Sequence, residues 1–405
     1  MREMKDSGIE WIGKIPKDWS YSKVKYHCSM KSGDNITSLN IEETSHYPVY
    51  GGNGQRGYFS QYNVDGDKIL IGRQGALAGN VHYVSGKFWA TDHAIVTTPF
   101  KDINILYFFY LLKGYELNRY AQDTAAQPGL AVSKIMNLAI YLPSVCEQQQ
   151  IADYLDTKCS EIDATAEDIQ KEISLLEDYK KSVITEAVTK GLNPDAEMKD
   201  SGVKWLPKIP KHWKVIPSKY LFANSDIRRQ TGDEQLTASQ KYGIITQKDY
   251  TAKENAQVVL ATQGLEKWKH VEPNDFIISL RSFQGGLEMS DITGCITWHY
   301  VVLKAQKKVY HKYYKWLFKS ARYINALQGT CNFIRDGQDL RFSNFALVPL
   351  FELPLEEQQQ IADYLDTKCS EIDTLIADKK RQVDILADYK KSLIYEYVTG
   401  KKEVV

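Results

Sequence analysis

Seventeen residues occur twice in this chain without a single change. EQQQIADYLDTKCSEID runs from Glu147 to Asp163 and again from Glu357 to Asp373, an offset of 210. A second pair sits upstream: MKDSGIEWIGKIPKDW (Met4 to Trp19) returns as MKDSGVKWLPKIPKHW (Met198 to Trp213), offset 194, with eleven of sixteen positions identical. The stretches between these markers show no comparable identity. The chain is therefore constant, variable, constant, twice over. That is the plan of a molecule that holds two different readers on one repeated frame.

The repeated segments predict long helices. Leu155, Ile162, Ile169, Leu176 and Val183 fall seven apart, with Ala152, Cys159, Ala166, Ile173 and Ala187 on the companion seam. Leu365, Ile372, Leu386 and Leu393, beside Ala362, Cys369, Ile376, Val383 and Tyr397, repeat the stripe. Apolar residues at heptad spacing form a seam that needs a partner helix. Lys379 and Lys390 interrupt the second stripe, and looser, more solvated packing is expected there. Ser144 and Glu147 have the spacing of a capping box, and Gly191, Pro194 and Gly400 end the helices. Each helix should run roughly 40 residues, or about 60 Å. The copy in the same chain is the natural partner. Antiparallel pairing is the simpler geometry, with one variable domain near each end and a pseudo-twofold relation between them. The alternative is that each helix folds back on its own domain.

Charge separates the same segments. The formal net charge is zero. Yet residues 1–145 carry 15 basic and 13 acidic side chains, 146–190 carry 5 and 11, 198–350 carry 23 and 13, and 356–405 carry 8 and 11. A polyanion would meet the variable segments, the second above all. No apolar run is long enough to span a bilayer and the first residues lack a secretory h-region, so a cytoplasmic protein is expected. The six cysteines form no CxxC pair and have no histidine at zinc spacing, which favours reduced thiols and no structural metal.

Both variable segments read as mixed α/β. YPVYGG, DKILIG, NVHYVSG and FWATDHAIVTT look like strands in the first, followed by a helix from Ile103 to Tyr120. YGIITQ, QVVLAT, DFIISLRS and CITWHYVVLKA play that part in the second, with a helix from His311 to Leu327. The expected organisation is an α+β protein: a variable domain at 1–145, a helix at 146–192, a second variable domain at 193–353 and a second helix at 354–402. Common catalytic signatures are missing. There is no phosphate-binding GxxxxGK[ST], no GxGxxG, no [DN]PP[FY] and no HExxH. Pro194-Asp195 with Glu197-Met198-Lys199 imitates a nuclease signature, but its carboxylates are too close together and lie in a linker. No catalytic residue and no bound metal or cofactor is expected in this chain.

These features together resemble the DNA-specificity subunit of type I restriction–modification enzymes. The resemblance rests on Leu142-Pro143 with Glu147-Gln148-Gln149 and Ile151-Ala152, and on Leu353-Pro354 with Glu357-Gln358-Gln359 and Ile361-Ala362. It also rests on the doubled DSG…W…KIP..W openings. The segments at Tyr47–Gly54, Ile69–Gly75, Ile278–Gly286 and Trp298–Tyr300 resemble parts of such target-recognition domains. The resemblance covers the whole chain. It implies that each variable domain reads one half of a split site in double-stranded DNA, while the helices fix the unread spacer. It implies two methyltransferase subunits as partners, carrying S-adenosylmethionine, and, in a full system, two translocase/nuclease subunits using ATP and Mg. A self-contained restriction–methylation enzyme and a coiled-coil scaffold without DNA are the alternatives. The first should contain catalytic motifs, and the second leaves two unlike domains unexplained.

Base-edge readers are usually arginine to guanine and asparagine or glutamine to adenine, and glycine-flanked loops let them approach closely. In the first domain these are Asn53, Gln55, Arg56, Arg73 and Gln74, in GGNGQRG and IGRQG. In the second they are Arg228, Arg229, Lys241, Lys248, Arg281, Ser282, Gln284, Arg335 and Arg341, with Arg281 foremost. Lys307, Lys308, Lys312, Lys315 and Lys319 read as a solvated helix face. His93 and His299 occupy apparent strands and read as structural.

Overall fold

The computed structural model describes residues 2–75, 77–121, 129–254, 261, 263–280, 282–330 and 340–404. It contains two units: residues 1–170 with 379–405, and residues 171–378. The QVVLAT segment, apart from Ala261, and the candidates Arg281 and Arg335 lie outside the described residues.

In the first unit, β1 (Cys28–Ser32), β2 (Tyr47–Gly51), β3 (Gly54–Phe59), β4 (Lys68–Gly72), β5 (Val81–Val84), β6 (Trp89–Ala90) and β7 (Ala94–Pro99) precede α1 (Ile105–Gly114). A four-stranded antiparallel sheet has the order β1-β7-β4-β5. A smaller sheet, β3-β2-β6, carries the β2–β3 hairpin, with β6 parallel to β2. The expected strand FWATDHAIVTT is two strands, because Thr91 to His93 turn between β6 and β7.

The second unit repeats this plan. Its elements are β8 (Phe222–Ser225), β9 (Leu236–Ser239), β10 (Gly243–Thr246), β11 (Lys269–Val271), β12 (Phe276–Ile278), β13 (Glu288–Met289), β14 (Gly294–Ile296) and β15 (Val301–Ala305). The four-stranded sheet runs β8-β15-β12-β13, the same sequence-to-space order as in the first unit. CITWHYVVLKA is likewise split, by a turn at Thr297–Tyr300. The expected helix from His311 to Leu327 is two, α3 (His311–Lys319) and α4 (Ala321–Gln328). Ser320 separates them, and its hydroxyl accepts from the Tyr323 N–H at 3.4 Å to cap the second.

The long helices are α2 (Val145–Lys190), 46 residues, and α5 (Leu355–Val398), 44 residues. At 1.5 Å per residue they run about 69 and about 66 Å. Each unit takes a piece of both. In the first unit the early part of α2 lies against the late part of α5. The Tyr154 and Tyr397 rings are 4.6 Å apart, and further along Asp163 pairs with Lys390. In the second unit Lys180 pairs with Asp373 at 2.6 Å, and the Glu357 carboxylate lies beside Gly191. One partner ascends as the other descends, so the pairing within each unit is antiparallel, as expected.

Lys180 and Lys390 hold the same place in the two repeats, and so do Asp163 and Asp373. The loose, solvated packing expected at Lys390 is corrected: its side chain is only 17% exposed. Its aliphatic stem covers the seam while the ammonium reaches the aspartate. A charged seam residue of this kind favours one register, because a slip moves it away from the aspartate it pairs with.

Aromatic residues join the sheet domains to the helices. Trp19, Tyr107 and Phe108 pack with Ile151, Ala152 and Leu155 of α2 and with Ile394 and Val398 of α5. Trp213, Tyr313 and Tyr314 pack with Ile361, Ala362 and Leu365 of α5 and with Ala187 and Val188 of α2. The two repeated markers meet at these joints. Trp19 Nε1 donates to Glu147 at 3.3 Å, and Trp213 Nε1 donates to Glu357 at 3.0 Å. The next residue in each copy is buried and clips the domain helix to the long helix. Gln148 accepts from the Asn104 N–H and donates to the Pro143 carbonyl; Gln358 accepts from the Tyr310 N–H and donates to the Leu353 carbonyl.

The capping box at the start of α2 is only half formed. Ser144 Oγ accepts from the Glu147 N–H at 3.3 Å, but the Glu147 carboxylate is taken by Trp19 and Arg2. Among the described residues, no helix is long and apolar enough to cross a membrane.

Candidate nucleic-acid interface

Glycines assemble the patch in the first unit. The β2–β3 hairpin turns through Gly52 and Asn53, and the turn rests on the end of β4. A Cβ on Gly72 would overlap the Gly52 carbonyl oxygen and sit 2.7 Å from that of Leu77. A Cβ on Gly52 would sit 2.9 Å from the His93 carbonyl oxygen. Backbone touches backbone here, so these positions need glycine for space. The contact brings Asn53 beside the exit of β4, where Arg73 and Gln74 follow.

Side-chain hydrogen bonds then orient the exposed groups. Asn53 Oδ1 accepts from Asn80 Nδ2 at 3.0 Å, and the side chain is exposed. Arg73 Nη1 donates to Ser32 Oγ at 3.2 Å. Its backbone is held on both sides, by the His93 carbonyl at 2.9 Å and the Leu130 N–H at 2.9 Å. Gln74 bridges to Gly129. The Arg56 side chain lies over Gly51 on the neighbouring strand, and Gln55 stands opposite Tyr50. Asn53, Gln55, Arg56, Arg73 and Gln74 are all exposed.

In the second unit a hairpin turn also meets the segment after the corresponding strand, here through a side chain. The β9–β10 turn carries Lys241, and Gln240 beside it meets Gly285, where a Cβ would lie 2.8 Å from the amide nitrogen. Gly285 ends the short helix Ser282–Gly285 that follows β12. Lys241 and exposed Gln284 are thereby brought to one side. Arg228 and Arg229 form a second group beside β11: Arg228 Nη1 donates to the Lys267 carbonyl at 2.8 Å, and the Arg229 N–H to that of Trp268 at 2.9 Å. Arg341 is exposed at the start of the helix Phe342–Ala346, apart from the hairpin turn in the sequence.

Three candidates have other duties here. Ser282 is 1% exposed and its hydroxyl accepts from the Ser279 N–H at 2.9 Å, so it shapes the turn instead of facing solvent. Lys241 pairs with Glu254 at 2.8 Å and Lys248 with Glu234 at 3.6 Å. Hydrogen bonding to Glu254 and then to Tyr242 pushes the Lys241 pKa up, so it stays charged, but a phosphate must compete with Glu254 for it. The lysine-rich face of α3 is partly engaged within the unit: Lys312 pairs with Asp366 at 2.8 Å, and Lys319 pairs with Glu288.

The reading of His93 and His299 as structural strand residues is corrected. Both are exposed, and both stand in the turn before the last strand of the four-stranded sheet. Trp298, 50% exposed, stacks on His299 with ring centroids 3.6 Å apart. The shared turn position of DHA and WHY was the signal available in the sequence. Ser32 and Asn80, which orient Arg73 and Asn53, carry no motif of their own.

Residues 16–175 match the family described as the type I restriction modification DNA specificity domain. The EcoprrI specificity subunit of Escherichia coli is 47% identical over 131 residues, which is 31% of this chain and only 32% of that relative. A putative MjaX specificity subunit of Methanocaldococcus jannaschii is 24% identical over 434 aligned positions, covering 97% of this chain and 96% of that one. A solved structure described as the basis of complex assembly and conformational transition in a type I R-M system shares the fold, with a TM-score of 0.65 at 12% identity, covering 96% of this chain and 99% of that one. The doubled helix, the doubled sheet domain and these matches agree: the chain is similar to type I restriction–modification specificity subunits, and its residues 16–175 match their DNA specificity domain.

Proposed function

We propose that each unit reads one half of a bipartite site in double-stranded DNA, and that the chain directs methylation without catalysing it. One observation carries this reading. The same sheet order recurs in both units, each with a hairpin turn against the segment that follows its third-ordered strand, β4 or β12, but the exposed polar residues there differ. A shared frame with different presented donors and acceptors suits two different base sequences. In the first unit the readers are Asn53, Arg73 and Gln74, with Gln55, Arg56 and His93 around them. In the second they are Gln284, Arg228, Arg229 and Trp298, with Arg281, Arg335 and Arg341, and with Lys241 and Lys248 on the phosphates. Ser282 is removed from the set by its burial. The long helices set the unread spacer.

The exposed faces of the repeat support a partner that docks twice. Glu147/Glu357 and Gln148/Gln358 are used inside the chain. Gln150, Asp153, Thr157, Ser160 and Glu161, however, are exposed on one helix face and recur unchanged and exposed as Gln360, Asp363, Thr367, Ser370 and Glu371. Internal packing does not require their identity. Two copies of one N6-adenine methyltransferase subunit, carrying S-adenosylmethionine, fit that face. With translocase/nuclease subunits using ATP and Mg, the cytoplasmic complex would also restrict DNA. The test is coexpression with the cognate methyltransferase, followed by methylated-adenine sequencing of the host DNA. A split motif is expected, and exchanging residues 20–141 should change one half of it only. An intact complex that methylates no motif overturns the reading.

A further inference from the structure

Lys113, at the end of α1, lines a cleft of about 590 Å³ contained in the first unit. The walls are largely apolar: Trp11 from the opening repeat, Ile162 and Ala166 from α2, and Leu386 and Ile394 from α5. The acids on the wall are already engaged, Asp163 by Lys390 and Glu116 by Arg119. Among the described residues no acid pairs with Lys113, which is half-buried beside the Phe109 ring.

The second unit shows what such a lysine takes as a partner. Tyr107, Phe108 and Leu111 of α1 correspond in sequence order and burial to Tyr313, Tyr314 and Leu317 of α3, which makes Lys319 the counterpart of Lys113. On the sheet, Leu70 faces Val96 and His82, while Ile277 faces Val302 and Glu288. Glu288 therefore stands where the first unit has His82. Lys319 and Glu288 form a largely buried ion pair. In the first unit the same two positions hold a lysine and a histidine, and His82 Nε2 is buried without a partner. Burial and then the Lys390 charge push the Lys113 pKa down, while burial and then the Lys113 charge push that of His82 down. The site lacks a negative charge that its counterpart supplies internally.

We propose that this cleft binds a small amphipathic carboxylate, with the carboxyl group on Lys113 and the apolar body against Trp11, Ala166 and Leu386. A volume of this size suits a small ligand. Lys391, also on the wall and unpaired among the described residues, adds a second positive charge at the rim. This is separate from DNA reading: Lys113 is on a helix, not on the hairpin joint.

Octanoate and its neutral analogue 1-octanol, titrated calorimetrically into the purified full-length chain, test the proposal. Octanoate should bind at least tenfold more tightly than octanol. Lys113→Met should remove that difference. His82→Glu, which copies the second unit, should compete internally and weaken octanoate at least tenfold without lowering the melting temperature. Ala166→Trp should weaken both probes by filling the cleft. Equal affinity for octanoate and octanol, or unchanged octanoate affinity in Lys113→Met, overturns the proposal, as does no binding of octanoate to the wild type. Should His82→Glu fail to fold, Lys113→Met decides.

Discussion

Gly72→Ala tests whether the hairpin joint builds the reading surface of the first unit. The new methyl group would overlap the Gly52 carbonyl oxygen and lie 2.7 Å from that of Leu77. Neither obstacle is the end of a flexible side chain, so the turn bearing Asn53 must lift off β4. Forcing a methyl into a filled site costs about 1–3 kcal/mol of stability. The functional effect is separate: Asn53 and Arg73 no longer share one geometry. Loss of one bidentate base contact costs about 1–3 kcal/mol, or roughly 5- to 150-fold in affinity. Gly75→Ala is the control. Gly75 has φ +86° but open space around its Cβ position, so an alanine there meets backbone strain of about 1 kcal/mol and no collision. The assay is DNA binding at fixed salt by the reconstituted complex, on the full site and on sites altered in either half. Gly72→Ala should lose discrimination in one half-site and keep it in the other. Wild-type discrimination in both halves, despite a lowered melting temperature, would refute the idea that this contact positions the readers.

Three further outcomes are expected. Lys390→Met should cost at most about 1 kcal/mol in urea unfolding, because the Asp163 partner is 64% exposed and solvent screens the pair; a double-mutant cycle with Asp163→Asn should recover a coupling of that sign, and additive effects would rule out the pair. Glu357→Ala leaves the buried Trp213 N–H without its acceptor and should cost about 1–3 kcal/mol, whereas Glu357→Gln, which can still accept, should cost less; equal losses would count against the hydrogen bond. His82 has its pKa lowered in the folded chain from the ordinary 6.5 by burial and then by Lys113, so the unfolded chain binds the proton more readily. Its neutral form is compatible with the fold above pH 6.5, and stability should fall as the pH drops below that value towards the folded pKa. Urea midpoints at several pH values should show a shallower acid-side decline in His82→Gln, and parallel curves would exclude the effect.

Much of the frame was legible because it repeats. Heptad spacing located α2 and α5, and duplication named each as a partner for the other. What local pattern could not show was the use of individual side chains. Glu147 has the spacing of a capping-box acid, yet Trp19, 128 residues away in sequence, takes its carboxylate. Lys390 reads as a flaw in the seam, yet it pairs with Asp163, 227 residues away. The candidate patch shows the same division. Glycine-flanked loops singled out Asn53 and Arg73, but only the fold brings Gly52 against Gly72 and supplies Asn80 and Ser32. His93 and His299 looked like strand residues because apolar runs continue on both sides of them. The turns that expose them depend on where each sheet ends.

Each unit's need for pieces of both long helices also sets an order of completion during synthesis. The second unit is contiguous, residues 171–378, and its contacts are available once that stretch has emerged. The first unit is not: the Tyr395 hydroxyl donates to the Trp11 carbonyl and Lys401 to that of Ile12, across 384 and 389 residues. Its core stays open along one side until Leu393, Ile394, Tyr397 and Val398 arrive. The unit whose residues begin first in the sequence is therefore the last to close. Truncation before Leu393 would spare the second unit and expose the apolar flank of the first, leaving a species prone to aggregation.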